Sequence, residues 1–127
     1  MERRNAVCRA VTACVLILAL TGWASAQYGG GSGTPEDPYL IDTPEQLNAI
    51  GADPNDWDKH FKLTADIDLS QYTGTEFNLI GGFWVPFRGT FDGDGHTISG
   101  FTYVSERAFD TGLFRRIDDP NAEIRNL

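Results

Sequence analysis

A chain of 127 residues has room for one domain, and a 41% hydrophobic share is enough for a folded core. Ten Lys and Arg stand against 18 Asp and Glu, a net charge of -8, so the basic footprint that a nucleic-acid partner requires is missing.

The first 26 residues read as an export signal. Arg3, Arg4 and Arg9 form a basic start, residues 11–20 (VTACVLILAL) an apolar run, and Ala24-Ser25-Ala26 a small-residue cleavage site before Gln27. So short a run falls below bilayer-spanning length, and no membrane insertion is expected after cleavage. The chain is therefore expected to be secreted or held at the cell surface. Cleavage removes Arg3, Arg4, Arg9 and Glu2, leaving 7 basic and 17 acidic side chains, a net charge of -10. Cys8 and Cys14 leave with the signal, so no disulfide can form in the exported part, although its compartment would permit one. Packing alone has to hold a chain that buries only about two-thirds of its unfolded surface.

Residues 27–33 (QYGGGSG) read as a flexible Gly/Ser linker, and residues 34–127 as the ordered part. Tyr39-Leu40-Ile41 is a short apolar strand. A helix follows, with Thr43 as N-cap, Pro44 at the first helical position and Gln46 completing a capping box. Leu47 and Ile50 share one of its faces, Gly51 supplies a C-terminal stop, and Asp53-Pro54-Asn55-Asp56 is a turn. Two helical turns are not stable alone, so the Leu47 and Ile50 stripe has to dock on a sheet-like core.

From Phe61 the period becomes two. Phe61, Leu63, Ala65, Ile67 and Leu69 alternate with Lys62, Thr64, Asp66, Asp68 and Ser70, which predicts one strand over residues 61–69 with an apolar inner face. Short runs follow at residues 77–80, around Phe87 and Phe91, at 97–101, at 112–117 and at 123–127, separated by Gly, Asp and Asn corners. Ile67 precedes Ile98 by 31 residues, and Ile98 and Phe101 are echoed by Ile124 and Leu127 at an offset of 26. Periods of this size mark solenoids, in which each unit buries its apolar face on its neighbours, and short strands between tight corners fit a parallel β-helix. A small β-sandwich uses the same kind of strands and turns and stays open on this pattern.

Several of these segments carry a family resemblance. The start at residues 31–41 (GSGTPEDPYLI), Glu45-Gln46-Leu47-Asn48-Ala49-Ile50, residues 61–69 (FKLTADIDL) and, most specifically, residues 87–98 (FRGTFDGDGHTI) resemble the N-terminal part of bacterial secreted proteins of the GLUG-motif type. The resemblance implies a mainly β fold, a right-handed parallel β-helix with an N-terminal cap helix and its first coils, and a secreted or surface location. It implies no reaction. The pattern departs at Arg115-Arg116, where small residues are usual. Residues 124–127 (IRNL) read as a strand in progress without an end cap, and the chain is therefore expected to be the N-terminal part of a longer protein.

Candidate chemistry is sparse. With His60 and His96 alone, no H-E-x-x-H and no exported cysteine, a zinc site of usual composition is not available, and Ser99 and Ser105 lie in no nucleophile context. No catalytic residue is assigned. His96, after the corner formed by Gly93 and Gly95, is expected to lock that turn by a local hydrogen bond. Asp92 and Asp94 are turn formers; they lack the EF-hand spacing, since Thr97 and Tyr103 stand where Gly and Glu are needed, and only a looser calcium site remains open there.

Asp66 and Asp68, about 6.5–7 Å apart on one strand face, have a separation compatible with an inverting glycosidase, although a solvated polar face is the simpler reading. Phe83 and Trp84 lie in a glycine-bounded loop: exposed, they could stack on a sugar, whereas the small core favours their burial as a plug. The sequence thus points to a non-catalytic structural or adhesive module of an extracellular protein, with a polysaccharide or a surface protein as partner. The alternatives are a carbohydrate-active protein using Phe83, Trp84, Asp66 and Asp68, and a calcium-stabilised binding module.

Overall fold

A computed structural model describes residues 27–106 and 111–127. The expected export signal at residues 1–26, with Cys8 and Cys14, lies outside the described residues. Among those described are six strands: β1 (Tyr39–Ile41), β2 (His60–Leu63), β3 (Ile67–Asp68), β4 (Thr90–Asp92), β5 (Ile98–Ser99) and β6 (Glu123–Arg125). They are joined by one helix, α1 (Pro44–Ala52), and a 3-10 turn (Pro54–Asp56). A four-stranded parallel sheet has the order β1-β2-β4-β6, and a separate two-stranded parallel sheet pairs β3 with β5.

The expected right-handed parallel β-helix is corrected by this topology. The strands are two to four residues long and form two separate sheets without a closed coil. In the four-stranded sheet the register partners Tyr39, Phe61, Phe91 and Ile124 are separated by 22, 30 and 33 residues. Ile67 does pair with Ile98, but Ile124 pairs with Phe91, so the offset of 26 between Ile98 and Ile124 is not a structural register. Like residues recur in this chain more regularly than like positions do.

The strand predicted over residues 61–69 is two strands in different sheets. Phe61, Leu63, Ile67 and Leu69 are all buried as the alternation requires, yet the chain bends at Thr64 and Ala65. Alternation of side chains survives the bend because buried positions resume in phase on its far side. The Thr64 N–H donates to the Ile41 carbonyl at 2.9 Å, which ties the bend to the end of β1.

Helix α1 starts as its sequence dictates. Thr43 has extended backbone, and its hydroxyl accepts from the Gln46 N–H at 3.2 Å, while Pro44 occupies the first turn. The Gln46 side-chain oxygen Oε1 accepts from the Asp42 N–H at 2.8 Å, one residue earlier than a capping box predicts. Leu47 and Ile50 are fully buried. Gly51 is not the stop, since the helix runs on through Ala52. A Cβ at Gly51 would overlap the Asn78 carbonyl oxygen, so the glycine is there to let another segment pass close to the helix.

Ile41, Leu47, Ile50, Trp57, Phe61, Leu63, Ile67, Leu69, Phe77, Ile80, Phe87 and Phe91 form one core. Its axis is aromatic: Tyr28, Tyr39 and Phe61 stack from one end, Phe61 and Phe87 lie 6.3 Å apart, and Phe114 contacts Phe87 and Phe91 at 5.3 and 5.2 Å. Residues 27–33, expected to be a flexible linker, are attached to this body. Gly29 and Gly30 hydrogen-bond to Leu40, and the Gly33 carbonyl accepts from the His60 N–H at 2.9 Å.

Candidate functional site

The loop at residues 82–85 is the most prominent surface feature. The Gly82 N–H donates to the Val85 carbonyl at 2.7 Å, closing a tight turn whose tip presents the two aromatic residues. Trp84 is 88% exposed and Phe83 53%, the reverse of the expected burial. The space a plug would fill is already taken: Trp57 packs beneath Gly82, and the Trp57 indole N–H donates to the Ile50 carbonyl at 2.7 Å. One ring edge meets the other face at 4.9 Å.

Arg116 supports this pair. Its guanidinium lies 5.8 Å from the centre of the Phe83 ring, donates to the Phe83 carbonyl at 2.6 Å and bonds Asp118 at 2.8 Å. Arg116 was visible in the sequence only as a departure from the pattern that the sequence resembles, and here it supports the Phe83 ring and backbone. The backbone at Arg116 lies against the 81–87 segment, since its carbonyl accepts from the Phe87 N–H at 2.9 Å. Aromatic faces next to a guanidinium and a carboxylate can stack on a pyranose ring and hydrogen-bond its hydroxyls.

Asp66 and Asp68 belong to a different place. One Asp66 carboxylate oxygen accepts from the Thr97 N–H at 2.9 Å and lies 3.3 Å from His96 Nδ1. The Thr97 N–H first, and His96 second, hold the Asp66 carboxyl below the usual carboxylate range. Asp68 accepts from the Ser70 N–H at 2.9 Å, and that bond lowers its pKa as well. Both therefore stay ionised, which suits neither for the proton-donating half of a glycosidase pair. Among the described residues the hydrogen bonds of Asp66 and Asp68 go to His96, Thr97 and Ser70, and none reaches Phe83 or Trp84.

His96 takes part in a corner. Its N–H donates to the Gly93 carbonyl at 2.8 Å and its ring faces Asp66, a residue 30 positions earlier. Asp94 adopts a left-handed φ of 49° and Gly95 one of 79°, while a Cβ at Gly93 would crowd the Asn126 carbonyl oxygen at 2.5 Å. Asp92 accepts from the Asp94 N–H at 2.8 Å and from the Asn126 side-chain amide at 3.0 Å, and its second oxygen lies 3.3 Å from Arg125 Nε. The Asn126 hydrogen bond is the main cause of a lowered Asp92 pKa. Asp94 lies 3.7 Å from Lys62. The two carboxylates at which a looser calcium site stayed open thus face N–H donors and cations, and among the described residues no group of three or more His, Cys, Asp and Glu is gathered.

A pocket of about 270 Å³ that sequence reasoning did not anticipate lies between Tyr28, Tyr39, Asp53 and Asp56, beside Gln27, Gly30 and Gly31. The Tyr28 hydroxyl donates to Asp56 at 2.9 Å. Burial first, then that hydrogen bond and the neighbouring carboxylate charge, push the Tyr28 pKa well above the usual tyrosine value. Spacing gave no signal for this pairing, because the two residues lie 28 positions apart.

The chain is similar to two curated proteins. It is 38% identical over 97 residues to Halomucin of Haloquadratum walsbyi, covering 69% of this chain and 1% of that protein. It is 36% identical over 106 residues to a protein named Gly-rich membrane protein of Evansella cellulosilytica, covering 81% of this chain and 12% of that protein. This chain therefore spans only a small part of the relatives it matches. No family model matches it, and no solved structure does. Among the described residues no helix is long and apolar enough to cross a membrane.

Proposed function

We propose that this chain is a non-catalytic structural module of an exported or cell-surface protein. The observation that carries this reading is how its polar side chains are used. Asp66, Asp68, Asp92, His96, Asn48 and Gln46 each serve a backbone N–H, a turn or a neighbouring segment, which leaves none of them poised for a substrate. The names of Halomucin and of the Gly-rich membrane protein agree with an exterior location. The test is to tag the chain at its C-terminus in a bacterial host and treat intact cells with protease. Tag in the medium, or cleaved on intact cells, is expected; tag retained and protected inside the cell would refute the reading.

A second reading is favoured by one observation, the exposure of Trp84 and Phe83 over Arg116. On it, the module holds polysaccharide through aromatic stacking. Affinity electrophoresis against a panel of neutral and acidic polysaccharides tests it, with retardation lost in Trp84→Ala as the expected result. Equal mobility of both proteins in every gel would exclude it.

A further inference from the structure

The loop that carries Phe83 and Trp84 is a bulge that the neighbouring segment does not share. Parallel bridges join Ile80 to Phe114 and Phe87 to Ile117. Between them lie the six residues 81–86 on one side and the two residues Arg115 and Arg116 on the other, so a surplus of four is pushed outward. The bulge is held on both flanks. Trp57 packs beneath Gly82, the Arg116 guanidinium braces Phe83, and a Cβ at Gly81, whose φ is 87°, would stand 2.5 Å from the Arg116 carbonyl oxygen. A Trp ring 88% exposed on so fixed a loop contributes nothing to the core, and exposed apolar surface of this kind marks a contact site.

Charge identifies the occupant. From Gln27 onward the chain has 7 basic and 17 acidic side chains, yet two exposed arginines stand at the feet of this loop. Arg115 follows the bridge from Ile80 to Phe114, and Arg88 follows the bridge from Phe87 to Ile117. The carboxylates nearest in register are engaged elsewhere: Asp118 with Arg116 at 2.8 Å, Asp58 with Lys59 at 3.2 Å, and Asp119 with the Asn121 N–H at 2.8 Å. Among the described residues neither Arg88 nor Arg115 forms an ion pair.

We propose that this loop binds an acidic polysaccharide, with a sugar ring stacked on Trp84 and carboxylate or sulfate groups of the same polymer paired with Arg88 and Arg115. The inference rests on the reading of Trp84 and Phe83 as a polysaccharide contact, and adds the class of polymer. The net negative charge of the chain opposes such a ligand only weakly at physiological salt, because screening takes hold beyond about 8 Å while the two arginines act at contact. One ring and two exposed cations form no cleft, so binding is weak, with Kd on the order of 1 mM per sugar unit.

Affinity electrophoresis of the full chain tests the proposal, in native gels containing polygalacturonate, dextran sulfate or the neutral hydroxyethyl cellulose. Wild type is expected to be retarded by an acidic polymer several-fold more than by the neutral one, and the stronger of the two acidic gels assigns the anion to carboxylate or sulfate. Trp84→Ala should abolish the retardation. The double variant Arg88→Gln, Arg115→Gln should weaken it about three- to tenfold with unchanged circular dichroism, since both side chains are exposed. Lys62→Gln, which removes a cation paired with Asp94 away from the loop, should retain it.

The outcomes separate this inference from the reading beneath it. Retardation by hydroxyethyl cellulose equal to or stronger than that by the acidic polymers, and lost in Trp84→Ala, would overturn the acidic class and leave sugar stacking in place. Acidic retardation indifferent to the arginine pair would do the same. No retardation in any gel, or retardation indifferent to Trp84→Ala, would overturn both.

Discussion

Gly51→Ala separates two physical accounts of α1. On helix propensity alone the change is favourable by about 0.5–1 kcal/mol, because alanine replaces glycine within a helix. The structure reverses the sign. A Cβ at Gly51 would stand well inside the 3.0 Å that real Cβ atoms essentially never breach, and the atom it meets is the backbone carbonyl oxygen of Asn78. That segment is not free to yield: the Asn78 N–H donates to the Asn48 side chain at 2.7 Å, and Ile80, two residues on, is fully buried and bridged to Phe114. Helix and segment have to part by about 1 Å, an overpacking penalty of about 1–3 kcal/mol, and the Asn48 bond, worth about 1 kcal/mol, is strained with them. After subtracting the propensity gain, the expected loss is about 1–3 kcal/mol. For a domain near 100 residues this lowers Tm by about 5–20 °C. Thermal unfolding followed by circular dichroism measures it, with Gly74→Ala as control. Gly74 has a φ of 62° but no atom within 4 Å of the added carbon, so its cost is backbone strain alone, about 1 kcal/mol. A Gly51→Ala protein melting at or above the wild-type temperature would refute the reasoning.

Thr43→Ala removes the acceptor of the Gln46 N–H and should cost about 1 kcal/mol, read as a fall of about 4–8 °C in Tm. Asp66, Asp68 and Asp92 have depressed folded-state pKa values, so the stability they contribute is present above about pH 4 and is lost as pH falls through those folded values. Urea titrations between about pH 5 and pH 2 should show stability falling with pH, and the triple variant with asparagine at these positions should show a shallower fall; identical slopes would contradict the assignment. Trp84→Ala should leave the unfolding free energy within about 0.5 kcal/mol of wild type, since the ring is 88% exposed, and a larger loss would mean that the loop packs on the core after all.

Local signals were legible where one residue type and one geometry coincide. Thr43 and Pro44 mark the start of α1 because few sequences satisfy the first-turn N–H groups otherwise, and the buried set Phe61, Leu63, Ile67 and Leu69 follows from period two. What period two cannot report is a bend that keeps phase, and so the division of residues 61–69 between two sheets was invisible. Register was equally hidden. Ile124 resembles Ile98 in type and spacing, yet its partner is Phe91, because pairing is decided by which strands share a sheet. Gly51 reads as a helix stop only when its neighbour across space, Asn78, is unknown. Exposure of Trp84 depended on Trp57 having taken the inner position first.

The side-chain tethers account for how so irregular a spacing still gives one register. Glu45 to Gln71, Tyr28 to Asp56, Asn48 to Asn78, His96 to Asp66, Thr102 to Tyr72, Phe83 to Arg116 and Asp92 to Asn126 join residues 26 to 34 positions apart, about one strand interval. Most are exposed, so each adds little to stability. Their contribution is to specificity. A slip of two residues would keep every apolar side chain of a strand on the core face, and hydrophobic burial alone therefore discriminates poorly between such registers. It would, however, unmake the donor and acceptor pairs at the corners, two of which satisfy the backbone N–H groups of Asn78 and Thr97. In a chain whose described residues contain no cysteine to pin distant segments, burial in the aromatic core supplies the stabilisation, and these polar pairs select which parallel pairing that burial stabilises.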